Sequence, residues 1–474
     1  FYYAPPTGFL ALCTKNLPDA TVIPSENFNT VLYTGNDSTN VITGVGFKSD
    51  FSWWKKRNAA TDHALIDSVR GVTKHLVSNT TNAEVTANVG TELVSFDSDG
   101  FTLGAAAQTN SINGTSASIV AWNWKAGGAT PSKTYAVTVV SDNGNKYRFD
   151  GFGTSAVTIN LQEGGTYVFD WSDSSAQAHP VRFSLTSNGT HASGSEYTTG
   201  VVKNDSAYTT TITVASGVAT LYYYCQYHSN MGGQVNTNTT HGSTNFDGSV
   251  LSIETTNTDA GFSIAEYTVS AGGKTYGHGL SQKAQVSIAK KTNGTSPWYS
   301  RFNVDGFRGY FLLDTTAHGV GSGDIFTATT TGTAWQGGTE TWITYNFHSV
   351  VGYSKIGSYI GNGKNDGNFI YTGFRPGFIL VKSTTNGRNW RIYDGVRDSD
   401  NPVGAVLAGN EPEVEFNSAV TYAPYDFLSS GFKLVRGATD LSGTVISDVN
   451  TSGQVYVYFA FASSEGSFKY ANAR

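Results

Sequence analysis

The feature that most constrains the fold is a repeat that links the beginning of the chain to its end. A segment that opens on Tyr33-Thr34-Gly35-Asn36 is answered by one that opens on Tyr359-Ile360-Gly361-Asn362. Behind both openings the same residue types recur with closely matched spacing: Phe47, Phe51, Lys55, Asp67 and Arg70 in one segment, and Phe374, Phe378, Lys382, Asp394 and Arg397 in the other. Matching over roughly 100 residues indicates a structural unit that the chain uses more than once.

A looser third copy lies between these two segments. It has Val286 and Lys290 at the spacing of Phe51 and Lys55, and it ends on the aromatic segment 344–350. In every copy, short runs alternate apolar and polar residues and are broken by Gly, Asn and Asp, which is typical of half-buried antiparallel strands joined by turns. We therefore expect an all-β fold of tandem antiparallel β-sandwiches, of the jelly-roll or concanavalin-like kind.

The repeat also predicts how the chain divides into domains. The three repeat units are expected at 26–129, at 239–353 together with a linker, and at 354–474. Residues 132–238 match none of the repeats. We expect them to form a separate domain that is inserted between the first and second units.

The composition argues against several functional classes. Only 14% of the residues are charged and the net charge is −6, without a basic stripe, so a nucleic-acid partner is not expected. No apolar run approaches the roughly 18 residues of a membrane helix, so membrane insertion is not expected either. Carboxylates such as Glu92, Asp97, Glu254 and Glu411 are scattered, and nothing pairs them as a glycosidase requires. We expect a protein that is not an enzyme.

Two features of the repeat allow both a functional and a structural interpretation. The Asp67/Arg70 pair recurs as Asp394/Arg397, which favours an ion pair across strands that fixes a turn over a catalytic pair. Trp53 and Trp54 precede basic residues and suit a sugar-binding platform. The simpler interpretation, which we favour, is a strand with one indole in the core and the other at the surface.

The inserted segment carries the sharpest chemical motif. Cys225, His228 and Met231 follow one another at intervals of three, and His179 lies upstream. A type 1 copper ion takes two imidazoles and a thiolate in a trigonal set, with a weak axial thioether. The only methionine of the chain, Met231, and one of its two cysteines both fall in this motif. A single disulfide between Cys13 and Cys225 is an alternative use of this thiol. The two other histidines nearby are expected to be loop residues, namely His191 and His241.

At this motif the segment resembles a cupredoxin. The resemblance implies a Greek-key β-sandwich with His179, Cys225, His228 and Met231 as copper ligands of a type 1-like site. The alternative is a sandwich of this kind that binds no metal and keeps Cys225 buried and inert. If copper binds, either a redox carrier or a structural copper site would fit the sequence.

The order of motifs along almost the full chain resembles repeat-containing structural proteins of marine bacteriophages. The similarity rests on the opening segment 3–18, the Tyr-Thr-Gly-Asn and Ser-Asp-Gly-Phe motifs, segment 347–355 and the terminal segment 468–474. It implies that residues 1–25 are the end of an upstream SPRY/concanavalin-like domain. It also implies a tail fibre or another component of the virion surface, outside the cell.

This resemblance leaves more than one role open. The chain is expected to mediate attachment to a host glycan or envelope protein, or to be a purely architectural part of a capsid, neck or fibre. A copper-binding redox module is a further alternative. Expected partners are other virion proteins and further copies of the chain in a homo-oligomer such as a trimer.

Overall fold

The chain is built almost entirely from β-strands. The computed structural model describes residues 22–107, 111–127, 132–238, 242–305, 307–319, 330–335, 338–417, 424–436 and 449–463. Within them the only helices are two short 3-10 turns, Pro24–Glu26 and Gly189–Ala192, and neither is long and apolar enough to cross a membrane. The predicted all-β class of tandem sandwiches is confirmed. The predicted upstream domain end at 1–25 lies almost wholly outside the described residues.

The first repeat unit forms two packed sheets, called the first sandwich. Its strands are β1 (Phe28–Thr34), β2 (Asn40–Thr43), β3 (Phe51–Lys56), β4 (Ala64–Asp67), β5 (Lys74–His75), β6 (Val85–Thr86), β7 (Leu93–Asp97), β8 (Gly100–Leu103) and β9 (Ser118–Trp124). The larger sheet has the order β1-β9-β3-β4 and the smaller one the order β2-β8-β7, while β5 and β6 pair separately. All of these strand pairs are antiparallel.

Residues 132–238, which match none of the repeats, form a sandwich of a different kind, called the inserted sandwich. Its strands are β10 (Ser132–Ser141), β11 (Asn145–Phe149), β12 (Ile159–Gln162), β13 (Thr166–Asp170), β14 (Val181–Ser184), β15 (Val201–Asn204), β16 (Thr209–Thr213), β17 (Leu221–Cys225) and β18 (Gly233–Asn238). Its sheets have the orders β11-β10-β13-β16-β15 and β12-β18-β17-β14. The pairs β10/β13 and β12/β18 are parallel, unlike any strand pair of the first sandwich. The inserted sandwich has a core of its own.

The other two repeat units form the second and third sandwiches. The second comprises β19 (Ser243–Asn245), β20 (Ser252–Asn257), β21 (Phe262–Val269), β22 (Thr275–Gly277), β23 (Val286–Lys291), β24 (Tyr299–Val304), β25 (Phe307–Leu312), β26 (His318–Gly319), β27 (Thr331–Thr333) and β28 (Glu340–Phe347). The third comprises β29 (Ser354–Ile360), β30 (Phe369–Tyr371), β31 (Pro376–Ser383), β32 (Arg391–Asp394), β33 (Ala405–Ala408), β34 (Phe416–Asn417), β35 (Tyr425–Leu428), β36 (Gly431–Leu434) and β37 (Val455–Ala462). Their large sheets run β19-β20-β21-β28-β23-β24-β25-β26 and β29-β37-β31-β32-β33-β34. Their small sheets run β22-β27 and β30-β36-β35.

The central strands of the large sheets are covered on both faces, so the prediction of half-buried strands is wrong for them. Every residue of β31 is buried, and so are six of the seven residues of β9. Trp54 packs inside the first sandwich, whereas Trp53 faces away from it into another core. Both indoles are buried, which excludes the sugar platform and also corrects the expectation that one of them lies at the surface.

The core that contains Trp53 is shared by all three repeat sandwiches. It gathers apolar side chains from the outward faces of the three large sheets: Phe51, Trp53, Trp122 and Trp124 of the first sandwich, Phe262, Ile288, Tyr345 and Phe347 of the second, and Phe378, Leu380, Phe459 and Phe461 of the third. Burial of apolar surface stabilises a fold by about 25 cal/mol per Å², and large aromatic side chains bury the most surface, so this cluster contributes much of the packing free energy. The three sandwiches therefore form one body around a common core, which we call the three-sandwich ring.

The strand registers show that the three sandwiches are equivalent around this core. Phe51 pairs with Trp124, Val286 with Phe347, and Phe378 with Phe461. The aligned positions next to them in the large sheets are Asp67, Phe302 and Asp394. Val286 and Lys290 thus occupy the places of Phe51 and Lys55, as the spacing of the looser copy predicts.

Cyclic hydrogen bonds join each sandwich to the next. In each sandwich one ring nitrogen reaches a backbone carbonyl of a neighbour, and a buried lysine reaches the carbonyl four residues further along that neighbour. The first sandwich bonds to the third, the second to the first, and the third to the second. The pairs are His63 Nε2 with Ala408 O (3.0 Å), Trp298 Nε1 with Val77 O (2.8 Å), Trp390 Nε1 with Leu312 O (2.9 Å), Lys55 Nζ with Pro412 O (3.2 Å), Lys290 Nζ with Thr81 O (3.1 Å) and Lys382 Nζ with Thr316 O (3.0 Å).

The Asp–Arg pairs lie in turns and also connect neighbouring sandwiches. The Arg70 side chain donates to Asp67 Oδ2 at 2.6 Å, and the Arg70 backbone N–H donates to Asp67 Oδ1 at 2.9 Å. The Tyr345 hydroxyl of the second sandwich donates to the same carboxylate at 2.8 Å, and Trp122 donates to Asp394 of the third at 2.9 Å. The turn-fixing ion pair is confirmed, but it spans a single turn rather than two strands.

The pKa of Glu266, in the second sandwich, responds to charged groups of the first, and its ionisation links the stability of the fold to pH. Burial is the main cause that raises its pKa from 4.5 to about 7; Asp67 and Glu84 raise it further, while Arg70 and Lys74 lower it. The folded state therefore holds an extra proton between these pH values. The stability linked to this proton is complete below about pH 4.5 and is lost as the pH rises through 7.

We expect Glu266→Gln to stabilise the protein at pH 8 by about 1–3 kcal/mol, because it removes a carboxylate that is costly to ionise in the fold. The gain should shrink towards pH 5, where Glu266 already carries its proton. Urea unfolding of both proteins at pH 5 and pH 8 measures the effect. Glu26→Gln, at an exposed position, controls for the loss of one negative charge. An equal gain at both pH values would contradict the assignment.

Candidate metal centre

Two neighbouring strands of the inserted sandwich bring the predicted ligands together. His179 lies two residues before the start of β14, and Cys225 is the last residue of β17. These strands are antiparallel and pair Val181 with Cys225, while the Gln226 N–H donates to Pro180 O at 3.0 Å. His228 and Met231 follow in the loop between β17 and β18. The sheet pairing therefore places His179 beside Cys225 and beside the loop that carries the other two candidates.

The ligand atoms of three candidates converge. The Nδ1 atom of His179 lies 3.7 Å from the Cys225 sulfur, and the Nδ1 atom of His228 lies 3.6 Å from it. The two imidazole centroids are 4.5 Å apart, and the three ligand atoms all lie within 4.8 Å of one another. Atoms that share one ion through bonds of about 2.0–2.3 Å lie about 3.5 Å apart. The spacing therefore suits a single metal ion and also suits hydrogen bonds from a thiol to imidazoles.

The four predicted residues differ in how deeply they are buried. Cys225 is fully buried, and Met231 is 1% exposed in the same core. His179 is 9% exposed, whereas His228 is exposed at the surface. Burial, and to a smaller extent the nearby His228, lowers the pKa of His179. The neutral imidazole that a metal requires is thus favoured at His179.

Three residues that the sequence motif did not single out surround the site. The His191 Nε2 atom lies 2.9 Å from Cys225 O, and the Asn188 side-chain oxygen accepts the Asn230 N–H at 2.7 Å. The Tyr147 hydroxyl donates to His179 O at 2.6 Å. His191 lies in the 3-10 turn Gly189–Ala192 rather than in an irregular loop. His241 lies outside the described residues.

The donor set fits a soft, late transition metal. Two imidazoles and a thiolate with a thioether nearby are the ligands of blue-copper sites, whereas Mg²⁺ and Ca²⁺ prefer oxygen. Cys225 carries a free thiol and has no disulfide partner among the described residues. Within the described part of the chain, His179, Cys225 and His228 form the group of side chains that could hold a metal ion.

The comparisons with known proteins identify a family but no function. A family described as a domain of unknown function (DUF7483) matches residues 23–149 and 180–465. The match spans the three repeat sandwiches and includes Cys225, His228 and Met231, whereas His179 falls in the unmatched stretch. No curated protein and no solved structure matches the chain. Because the matched segments cover most of its length, the chain belongs to the DUF7483 family.

Proposed function

We propose that the inserted sandwich binds one copper ion through His179, Cys225 and His228, with Met231 as a weak axial ligand. The observation that carries this proposal is the convergence of two Nδ1 atoms on a buried thiol, at 3.6 and 3.7 Å. The resemblance to a cupredoxin supports the same assignment. The sandwich supplies the ligands from a strand end and the adjoining loop, so its fold fixes their spacing.

The ligand types favour copper over zinc. Structural zinc sites take four strong donors, usually thiolates and imidazoles, whereas this site has three and a thioether. A trigonal His₂Cys set with a distant thioether stabilises both oxidation states of copper and supports one-electron transfer. The exposed edge of His228 leaves one ligand at the surface. The site thus suits either electron transfer or a structural copper ion.

Titration of the metal-free protein with Cu²⁺ tests the proposal. We expect one equivalent to bind and to produce an intense visible absorption from thiolate-to-copper charge transfer. We also expect Co²⁺ to bind to the same donors, more weakly than copper, and to give a spectrum that shows thiolate ligation. A folded protein that binds no copper, or binds it without the thiolate band, would rule out this site.

We further propose that the chain is a structural component of a virion surface that contacts other virion proteins and attaches to host glycans or envelope proteins. The sequence resemblance to marine phage proteins supports this role. The three-sandwich ring supports it as well, since the common core and the cyclic hydrogen bonds join the three repeats into one scaffold. A homo-oligomer of the whole chain belongs to the same proposal, as does the purely architectural alternative.

Localisation and adsorption experiments separate the two versions of this role. Antibodies against the three-sandwich ring should label intact virions if the chain lies on their surface. The purified chain should compete with virions for host cells if it carries the receptor-binding activity. Labelling without competition would favour the architectural role, and absence of labelling would exclude both.

A further inference from the structure

We propose that Tyr147 is the positioning residue of the metal centre, which holds two of its four ligand residues in place before any metal arrives. This inference rests on the proposed copper site. Tyr147 lies in β11, on the sheet opposite the one that carries His179 and Cys225. Its ring is fully buried in the core of the inserted sandwich.

Two hydrogen bonds of Tyr147 reach two different ligand residues. The hydroxyl donates to His179 O at 2.6 Å. The backbone N–H of Tyr147 donates to Met231 O at 3.0 Å. The neighbouring Lys146 extends this hold, because its ammonium donates to Asn230 O. Residues 146–147 thus bind both segments that form the centre.

The hydroxyl is the part of the Tyr147 side chain that we expect to affect metal binding. In the metal-free protein it donates to the His179 carbonyl from the opposite sheet, so this ligand residue keeps its place in the absence of an ion. Partners outside the ligand set usually fix the orientation of the ligands and tune the metal, and their loss weakens affinity by about 10–100-fold.

The test compares Tyr147→Phe with Tyr223→Phe. Tyr223 is a buried tyrosine of the same core whose hydroxyl also donates to a carbonyl, Val157 O at 2.7 Å, and Val157 is not one of the ligand residues. We expect Tyr147→Phe to weaken Cu²⁺ binding by about 10–100-fold and to shift the thiolate-to-copper band. Tyr223→Phe should retain the wild-type affinity and spectrum.

A measurement without metal separates this inference from the copper site itself. The Gln226 N–H bonds to Pro180 O and reports whether the two ligand segments stay together. In the metal-free protein, amide exchange at Gln226 should be faster in Tyr147→Phe but not in Tyr223→Phe. If the wild type binds no copper but this difference is present, the copper proposal fails and the positioning role stands. If copper binds and the two variants agree in affinity, spectrum and exchange, the positioning role is overturned.

Discussion

Trp122→Ala is expected to destabilise all three repeat sandwiches together, by about 3–5 kcal/mol. The indole is fully buried in the common core and packs edge-on against Trp53 and Phe378, at centroid distances of 6.0 and 5.8 Å. Its N–H donates to the Asp394 carboxylate, so alanine both opens a cavity and removes a donor from a buried charge. Urea unfolding measures the loss of global stability. Hydrogen exchange at β9, β28 and β37 should show equal losses of amide protection in the three sandwiches.

Trp171→Ala is the matched control for this prediction. Trp171 is also buried and its indole also donates to a side chain, Thr210 Oγ1 at 3.3 Å, but it belongs to the core of the inserted sandwich. We expect this variant to lose protection in β10–β18 and to leave the three-sandwich ring stable. Loss confined to the first sandwich in Trp122→Ala would mean that the repeats unfold independently and that the common core contributes little.

The common core is the part of the fold that the sequence did not reveal. The matched spacing of Phe51 and Phe378, and of Lys55 and Lys382, identified equivalent positions correctly. It did not show that Phe51 and Phe378 contact the same core, because a strand covered on both faces and a strand with an exposed aromatic residue have similar sequences. Trp53 and Trp54 illustrate this ambiguity, since only the packing of three large sheets buries both.

The cluster of His179, Cys225 and His228 could be predicted from the sequence, but its surroundings could not. Cys225, His228 and Met231 lie in one short segment, so their spacing carries the signal. Tyr147 is 78 residues upstream of Cys225 on the other sheet, and a single tyrosine in a strand looks like any core residue. His191 gave no signal either, because its contact is to a backbone carbonyl that belongs to no motif. Contacts of this kind become visible only when the strands are assembled.

Cys225→Ser is expected to abolish the thiolate-to-copper absorption and to weaken Cu²⁺ binding by at least about 100-fold. The thiolate is the strongest soft donor of the set, and a serine hydroxyl neither ionises at neutral pH nor supplies the charge-transfer band. Serine is close in size to cysteine and its hydroxyl faces two imidazoles, so the inserted sandwich should remain folded. Circular dichroism of the metal-free variant checks the fold, and titration followed by absorption measures the binding.

Met231→Leu removes the thioether instead of the thiolate, and we expect a smaller effect on copper binding than for Cys225→Ser. Leucine fills the same buried space but has no sulfur, and an axial thioether is a weak ligand that tunes the copper more than it holds it. We therefore expect this variant to keep one bound copper ion and a visible band, with a shifted spectrum and a changed reduction potential. Retention of the full absorption in Cys225→Ser would exclude the thiol as a ligand. Loss of all binding in Met231→Leu would instead make the thioether a principal ligand, and the site would differ from a trigonal His₂Cys centre.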